Sequence, residues 1–589
     1  MTAKMNPVEM PDWKIAQAAE KRMKKIYELR DELGLYQSEV LPYGHYVGKL
    51  DYQIILERLK GESLGKYVDV TAITPTPLGE GKSTTTIGLL EGLSKIGKKP
   101  IGAIRQPSGG PTFNIKGSAA GGGLAQCVPL TDFSLGLTGD IDAITNAHNL
   151  AMVALTSRIQ HEFNYTDRIL ENKKLKRLNI DPRNISIGWA MDFSAQSLRE
   201  IIIGIGGKMD GFMMKCGFQI SVSSEIMAIL AISVDLKDFR KRIGKMIVAY
   251  DKAGNPISTS DLEVDGAMTA LLAKVIYPNL IQTLEGQPVL VHAGPFANIA
   301  LGQSSIIADF IGLKLGEYHV TESGFGSDIG FEKFWNLKCR YSQLEPDCSV
   351  LVTTVRGLKM HGGGPRVVPG KPIDRSYTEK NTKLVRKGLD NLYAHIDIIR
   401  KSGIQPVVCI NYFHTDDPAE IKIIKDACKE VGVRCATSKH WLEGGDGAME
   451  LAEAVVDACE DKQRFKFLYD DNISLNSKIE LIAKEIYGAN GVKYSDTAQA
   501  KLNQIQKHPE FKFYGSCMAK THLSLSHDPS WKGRPEGWIL PINDILIYGG
   551  AGIAVPVVGD VKLMPGTASD PAYRKIDIDV NTGKVKGLF

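Results

Sequence analysis

Short apolar runs alternate along this chain with longer stretches in which apolar residues recur at helical spacing. The runs are Val68–Ile73, Ile101–Ile104, Val289–His292, Val350–Val355, Val407–Ile410 and Arg434–Ala436. Most lead into Gly, Pro, Asn or Ser and then into an amphipathic segment. Ile87, Leu90, Leu93 and Ile96 form one such segment after the first run, and another helical pattern runs from Ile141 through Glu162. Repeated strand–loop–helix units predict an α/β fold, with a parallel sheet core covered by helices. In such sheets ligands gather beyond the carboxyl ends of the strands. That rule singles out Thr76–Thr84, Ala293–Asn298, Arg356–Lys359 and Asn411–Phe413. From about Phe465 a helical segment (Ile473–Tyr487) mixes with short strand-like runs, which predicts a smaller C-terminal domain. The expected division is 1–145 plus about 385–460 for the first domain, about 146–384 for a second α/β or α+β domain, and about 461–589 for the third. No internal repeat is visible, and the glycine- and proline-rich stretch Gly362–Pro372 is the best candidate for a long loop or lid.

Candidate chemistry begins where the first run ends. Thr76-Pro77-Leu78-Gly79-Glu80-Gly81-Lys82-Ser83-Thr84 joins a predicted strand to a predicted helix. Strand, glycine turn, lysine, hydroxyl and helix together make a phosphate cradle (a P-loop). Backbone N–H groups at the new helix's N-terminus face the anion, and the helix dipole favours negative charge there. Lys82 is placed to reach the terminal phosphates of a nucleoside triphosphate, and Ser83 to hold Mg²⁺. The loop is a variant: the usual pattern puts Gly five residues before the Gly-Lys pair, and this chain has Thr76 there. The structural alternative is a plain glycine turn with an exposed lysine.

Bulk composition narrows the partners. The 589 residues carry a formal charge of only +4, so no polyanion-binding surface is implied and nucleic acid is not an expected partner. The nine cysteines are scattered, with no Cys-x-x-Cys pair, which disfavours a disulfide framework or structural zinc. Reduced thiols in a cytoplasmic enzyme are the simplest reading. No secretory signal and no membrane-spanning run is expected. The histidines show no His-x-x-x-His or His-Glu-x-x-His spacing, and no Gly-x-Ser-x-Gly elbow appears, so neither a zinc nor a serine hydrolase is indicated. His148, His292 and His361 are candidate site residues, for which the satisfied structural histidine is the competing reading.

A second glycine-rich element, Arg105 to Gly123, follows the predicted strand Ile101–Ile104. Glycine lets backbone approach a ligand closely. Arg105, at a strand end, can present a fork of donors to a phosphoryl or carboxylate group; the alternative is a solvated arginine in a surface loop. Asp140, in Leu137-Thr138-Gly139-Asp140, opens a helical pattern. Spacing alone favours a helix cap there, with cation binding as the other possibility. Phe325, Phe413 and Trp441 sit in turn-rich contexts rather than apolar stripes. Aromatics at strand ends can sandwich a flat heterocycle, whereas pattern alone favours simple core-edge packing.

Taken together these motifs resemble the formate–tetrahydrofolate ligase (10-formyltetrahydrofolate synthetase) family. Thr76–Thr84 reads as the family's Thr-Pro-Leu-Gly-Glu-Gly-Lys-Ser/Thr-Thr block, and Ile115–Gly123 as its Ile-Lys-Gly-Gly-Ala-Ala-Gly-Gly-Gly segment. The likeness continues through Ser224–Leu230, Gln282–Gly286, Gly294–Ala300, Thr321–Gly326, Met518–Thr521, Met564–Gly566 and Gly587–Phe589, in order over essentially the whole chain. It implies ATP, Mg²⁺, a monovalent cation (K⁺ or NH₄⁺), formate and tetrahydrofolate, with formyl phosphate as intermediate and a homotetramer as the assembly. It also implies roles: Lys82 and Arg105 beside the transferring phosphoryl group, Phe413 and Trp441 flanking a flat ring, Phe325 lining the site, and Asp140 near the phosphate and cation region.

Departures cluster near that presumed site. The family's Arg-Glu-Pro-Ser becomes Arg105-Gln106-Pro107-Ser108, and its Leu-His-Phe-Thr-Gly-Asp-x-His-Ala becomes Leu135–Ala143, with Gly136 and Asp142 at the histidine positions. Neutral residues also replace charged ones within Asp192–Arg199 and Met214–Ile220. Two alternatives to plain tetrahydrofolate formylation follow: the same reaction on a different reduced pterin, or a nucleotide-binding paralogue with weakened catalysis.

Overall fold

The computed structural model describes residues 5–114, 119–297, 299–367 and 372–588. Ile115 to Ser118 of the second glycine-rich element, Asn298, four residues of the expected lid (368–371) and Phe589 lie outside the described residues.

Among the described residues a twelve-stranded sheet forms the centre. Its strands are β1 (Val40–Tyr43), β2 (Val47–Leu50), β3 (Lys66–Ala72), β4 (Pro100–Ile104), β5 (Gly121–Gly122), β6 (Ala125–Val128), β7 (Asn279–Thr283), β8 (Pro288–Val291), β9 (Tyr318–Glu322), β10 (Cys348–Thr353), β11 (Pro406–Asn411) and β12 (Arg434–Ser438). They lie side by side as β1-β2-β7-β8-β4-β9-β3-β10-β11-β12, with β6 on β7 and β5 on β6. From β8 through β12 every neighbouring pair is parallel, and the remaining pairs are antiparallel. Each apolar run of the sequence is a parallel strand of this sheet, displaced by no more than two residues at either end.

The composition of β3 explains why it sits in the middle. Val68, Val70 and Ala72 point to one face and pack against Ile87, Leu90 and Leu93 of α1 (Lys82–Lys95) and against Leu451 and Val455. Tyr67 faces the other side, in the cluster that holds Leu392 and Ile396. Asp69 shares that second face; it is fully buried, accepts from Ser323 and Gln303, and is pushed up to about 7 by burial. A strand covered on both faces reads as a nearly continuous apolar run.

Strands β7 to β10 fall within the stretch 146–384 and pair into the same sheet as β3 and β4. Smaller sheets lie outside it. One joins Ile180–Ile185, Ile247–Asp251 and Pro256–Ser258; another joins Gly515–Ser516, Asp544–Tyr548 and Ile553–Val557. The expected C-terminal helix is present as Leu475–Glu485. All nine cysteines are free thiols. Among the described residues no helix is long and apolar enough to cross a membrane.

Candidate active site

Three neighbouring strand ends build the site. β3 leads into the glycine loop, β9 beside it ends at Glu322, and β4 on the far side of β9 ends just before Arg105. The parallel register sets all three carboxyl ends on one edge of the sheet.

The loop is held from within. Glu80 is buried, and its Oε1 accepts from the Thr76 backbone N–H (3.0 Å) and the Thr76 hydroxyl (2.9 Å). Its Oε2 accepts from Thr354 Oγ1 (2.7 Å), and its carbonyl accepts from Asn411 Nδ2 (3.0 Å). Burial raises the Glu80 pKa, against the pull of these hydrogen bonds and of nearby Lys82. Glu80 thus ties the turn to the end of β10 through its carboxylate and to the end of β11 through its carbonyl. Gly81, at the N-cap of α1, has φ 72° and ψ 35°. A side chain is disfavoured there twice over: the backbone is left-handed, and a Cβ would collide with the Asn411 amide. Pro77 and Gly79 are exposed, and Leu78, Lys82, Ser83 and Thr84 are half-buried, so the loop's outer rim faces solvent while its base is packed.

Ser83 Oγ donates to Glu322 Oε2 at 2.7 Å. The other Glu322 oxygen faces Arg105 Nη2 at 3.6 Å. Arg105 also donates Nη1 to the Pro295 carbonyl (3.2 Å), while its buried Nε has no hydrogen-bond partner among the described residues. An orphaned guanidinium donor costs free energy unless something fills the place in front of it. Glu322 was quoted above only as part of a likeness. Neither its place at a strand end nor its contact with Ser83, 239 residues away, is visible in the local pattern.

The aromatic candidates each have a defined seat. β11 and β12 pair with Asn411 opposite Ser438, so Phe413, just after β11, and Trp441, in the short helix His440–Glu443 after β12, both follow strand ends on the same sheet edge. Arg356 covers one face of Phe413 at 4.5 Å. The Trp441 carbonyl accepts from Leu124 N–H (3.0 Å), and a Cβ at Gly123 (φ +59°) would run into the Trp441 backbone and ring. This close approach is the use made of the second glycine-rich element at its described end. Phe325 follows β9 with φ 62°, a strained conformation for an aromatic residue, and its ring stacks on His522 with centroids 4.3 Å apart.

Asp140 is the first residue of a helix. α2 (Asp140–Asn164) takes Gly139 as its N-cap and has no side-chain cap, which corrects the capping expectation. Both Asp140 oxygens lie 2.8 Å from Lys49 Nζ, and Oδ2 also accepts from Asn279 Nδ2 (2.8 Å). Burial works against charge on both partners, raising the Asp140 pKa and lowering that of Lys49. His148 and His292 are satisfied core histidines: each ring bonds a serine hydroxyl and a backbone carbonyl, and burial lowers their pKa values to about 4 and about 3. His361 bonds the Thr74 carbonyl at the base of the loop (2.8 Å) and is lowered to about 3 by burial. Two of the departures meet directly: Gln106 Nε2 donates to the Gly136 carbonyl (3.3 Å), a bond that a carboxylate at 106 has no proton to make.

Comparison with known proteins bears on this geometry. The family model described as formate–tetrahydrofolate ligase matches residues 10–589. The chain belongs to the formate–tetrahydrofolate ligase family. Its relatives of that name include proteins from Dehalococcoides mccartyi strain CBDB1, 63% identical over 99% of this chain and 98% of the relative; from Lawsonia intracellularis, 62% identical over 99% and 100%; and from Thermodesulfovibrio yellowstonii, 58% identical over 99% of each. A formate–tetrahydrofolate ligase assignment therefore covers all three strand ends of the site.

Proposed function

We propose that this formate–tetrahydrofolate ligase activates formate on the cradle between β3 and β4 and passes the formyl group to N10 of tetrahydrofolate. The observation that carries the reading is the convergence of the Lys82 loop, Glu322 and Arg105 on one sheet edge. N–H groups of the turn and the N-terminus of α1 cradle the ATP phosphates. A formate oxygen attacks the γ-phosphorus, and the bond to the β–γ bridging oxygen breaks, releasing ADP and leaving formyl phosphate. Lys82 and Arg105 stabilise the charge on the transferring group. The N10 lone pair then attacks the formyl carbon, phosphate departs and N10 loses its proton. An amine of this kind is already nucleophilic, so no covalent enzyme intermediate is needed, and each step is reversible. Mg²⁺, when bound, neutralises phosphate charge.

Arg105, its side chain 25% exposed beside Glu322, is the guanidinium placed to meet a carboxylate or phosphoryl oxygen. Phe413 and Trp441 are assigned to the flat rings of the substrates, with Phe325 lining the same edge. The reading also carries an activating monovalent cation, a homotetramer and a cytoplasmic setting. In domain terms the nucleotide-binding unit takes in 1–145 and about 385–460. It also takes in residues 279–353, whose strands share its sheet. The rest of 146–384 forms the second unit and about 461–589 the third.

Purified protein given ATP, formate and tetrahydrofolate is expected to yield a product that shows the methenyl chromophore on acidification. Absence of that product with folded protein contradicts the proposal. A panel of reduced pterins tests the second reading, which rests on the Gln106–Gly136 pairing; higher activity with another pterin would favour it.

A further inference from the structure

We infer that Glu322, with Ser83, forms the magnesium site of the bound nucleotide, and that Asp140 takes no part in it. The inference rests on the reading of the loop as an ATP cradle. Four observations carry it. First, Glu322 is the last residue of the strand hydrogen-bonded to the loop-bearing strand, so its carboxylate stands beside the cradle at the carboxyl edge of the sheet. Second, the side chain is 2% exposed yet bonded to the Ser83 hydroxyl that a nucleotide-bound magnesium would need. Third, the two oxygens are 2.7 Å apart. Octahedral magnesium with ligands at 2.0–2.1 Å places neighbouring vertices about 2.9 Å apart, so small adjustments let both oxygens bind one ion. Fourth, Glu80 of the loop and the candidate Asp140 are already used. Glu80 is engaged through both oxygens by Thr76 and Thr354, and Asp140 by Lys49 and Asn279.

Magnesium on a nucleotide takes most of its ligands from phosphates and water, and one or two from the protein. A hydroxyl and one carboxylate therefore suffice, and no cluster of three acids is needed. The 3.6 Å contact to Arg105 gives Glu322 a second effect. A cation held by Ser83 and Glu322 would have the carboxylate's negative charge, shared with Arg105, to offset repulsion between the two positive groups. Without it, cation and guanidinium would repel each other in a half-buried setting.

The test is nucleotide affinity measured by calorimetry with Mn²⁺ and, separately, with EDTA, on the intact protein, E322Q and S83A. Mn²⁺·ATP binding is expected to weaken about 10–100-fold in E322Q, while metal-free ATP binds as before or tighter, because a negative charge beside the phosphates is gone. S83A is expected to lose affinity in the same metal-dependent way. Equal weakening with and without metal would mean that Glu322 merely seats Arg105, and would overturn the inference, as would unchanged Mn²⁺·ATP binding. If the unmodified protein binds ATP in neither condition, the cradle reading itself falls. A second measurement does not depend on any variant folding. In the protein's Mn²⁺·ATP complex, carboxyl-¹³C glutamate should give a ¹³C hyperfine coupling and carboxyl-¹³C aspartate should not; the reverse pattern overturns the inference.

Discussion

Two buried carboxylates in this molecule, Glu322 and Asp140, look alike in a sequence and do opposite things. Both lie at a terminus of a secondary-structure element, and both are nearly inaccessible, at 2% and 4% exposure. Asp140 is closed: an ammonium and an amide take its oxygens, and α2 runs on from it into the core. Glu322 is open: its partners are a loop hydroxyl and an arginine that keeps an unused donor. What faces a buried charge, rather than its depth, decides whether it braces the fold or waits for a ligand.

That contrast can be broken at several points. The largest effect is expected at the open end, where Lys82→Ala should lower kcat/KM by about 10³ or more while the far-ultraviolet circular dichroism stays unchanged. Turnover left intact would remove the cradle from the chemistry. At the closed end, Asp140→Asn leaves the Lys49 ammonium buried without its counter-charge and should cost about 3–5 kcal/mol in denaturant unfolding. Metal-dependent ATP affinity should survive in the folded fraction; a selective loss of that affinity would place Asp140 in the site after all.

Glu225 gives a third buried carboxylate, facing neither a cation nor a ligand. It accepts from the N–H groups of Gly550 (2.6 Å) and Ala551 (3.0 Å), and burial raises its pKa to about 8. The folded protein then holds a proton that the unfolded chain releases near pH 4.5, so this group stabilises the fold at low pH and loses its contribution as pH climbs through about 8. Denaturation midpoints should fall over that window, and Glu225→Gln should flatten the slope. A slope unchanged in the variant would assign the pH dependence to other groups, such as Asp69. Smaller still, Trp441→Ala is expected to raise KM for the folate by about tenfold, in line with about 1–3 kcal/mol for a ring stack, with ATP affinity unchanged. Equal losses for both substrates would mean that Trp441 only supports the loop at Gly123.

The sequence read well where one element carried the signal. The apolar runs are strands, and all but the edge strand β12 are buried on both faces, while the turn from Thr76 to Thr84 is recognisable because its glycines, lysine and hydroxyl serve a local geometry. It read poorly where meaning depends on distant partners. The Asp140 role turns on Lys49, 91 residues away, and no spacing reveals that pair. Glu322 needed the knowledge that β9 lies against β3, a fact of strand order that local pattern does not contain. Phe413 and Trp441 were visible as aromatics in turns, but their nearness follows from the β11–β12 register. Glu80 was read as part of a phosphate loop, whereas its side chain points inward and fastens that loop to Thr354.

The most direct test of the account follows the oxygen. Formate labelled with ¹⁸O should deliver one label into the inorganic phosphate released as tetrahydrofolate is formylated, because the attacking formate oxygen leaves with the phosphoryl group, and Lys82→Ala should abolish that transfer. Formylated product accompanied by unlabelled phosphate would contradict the account.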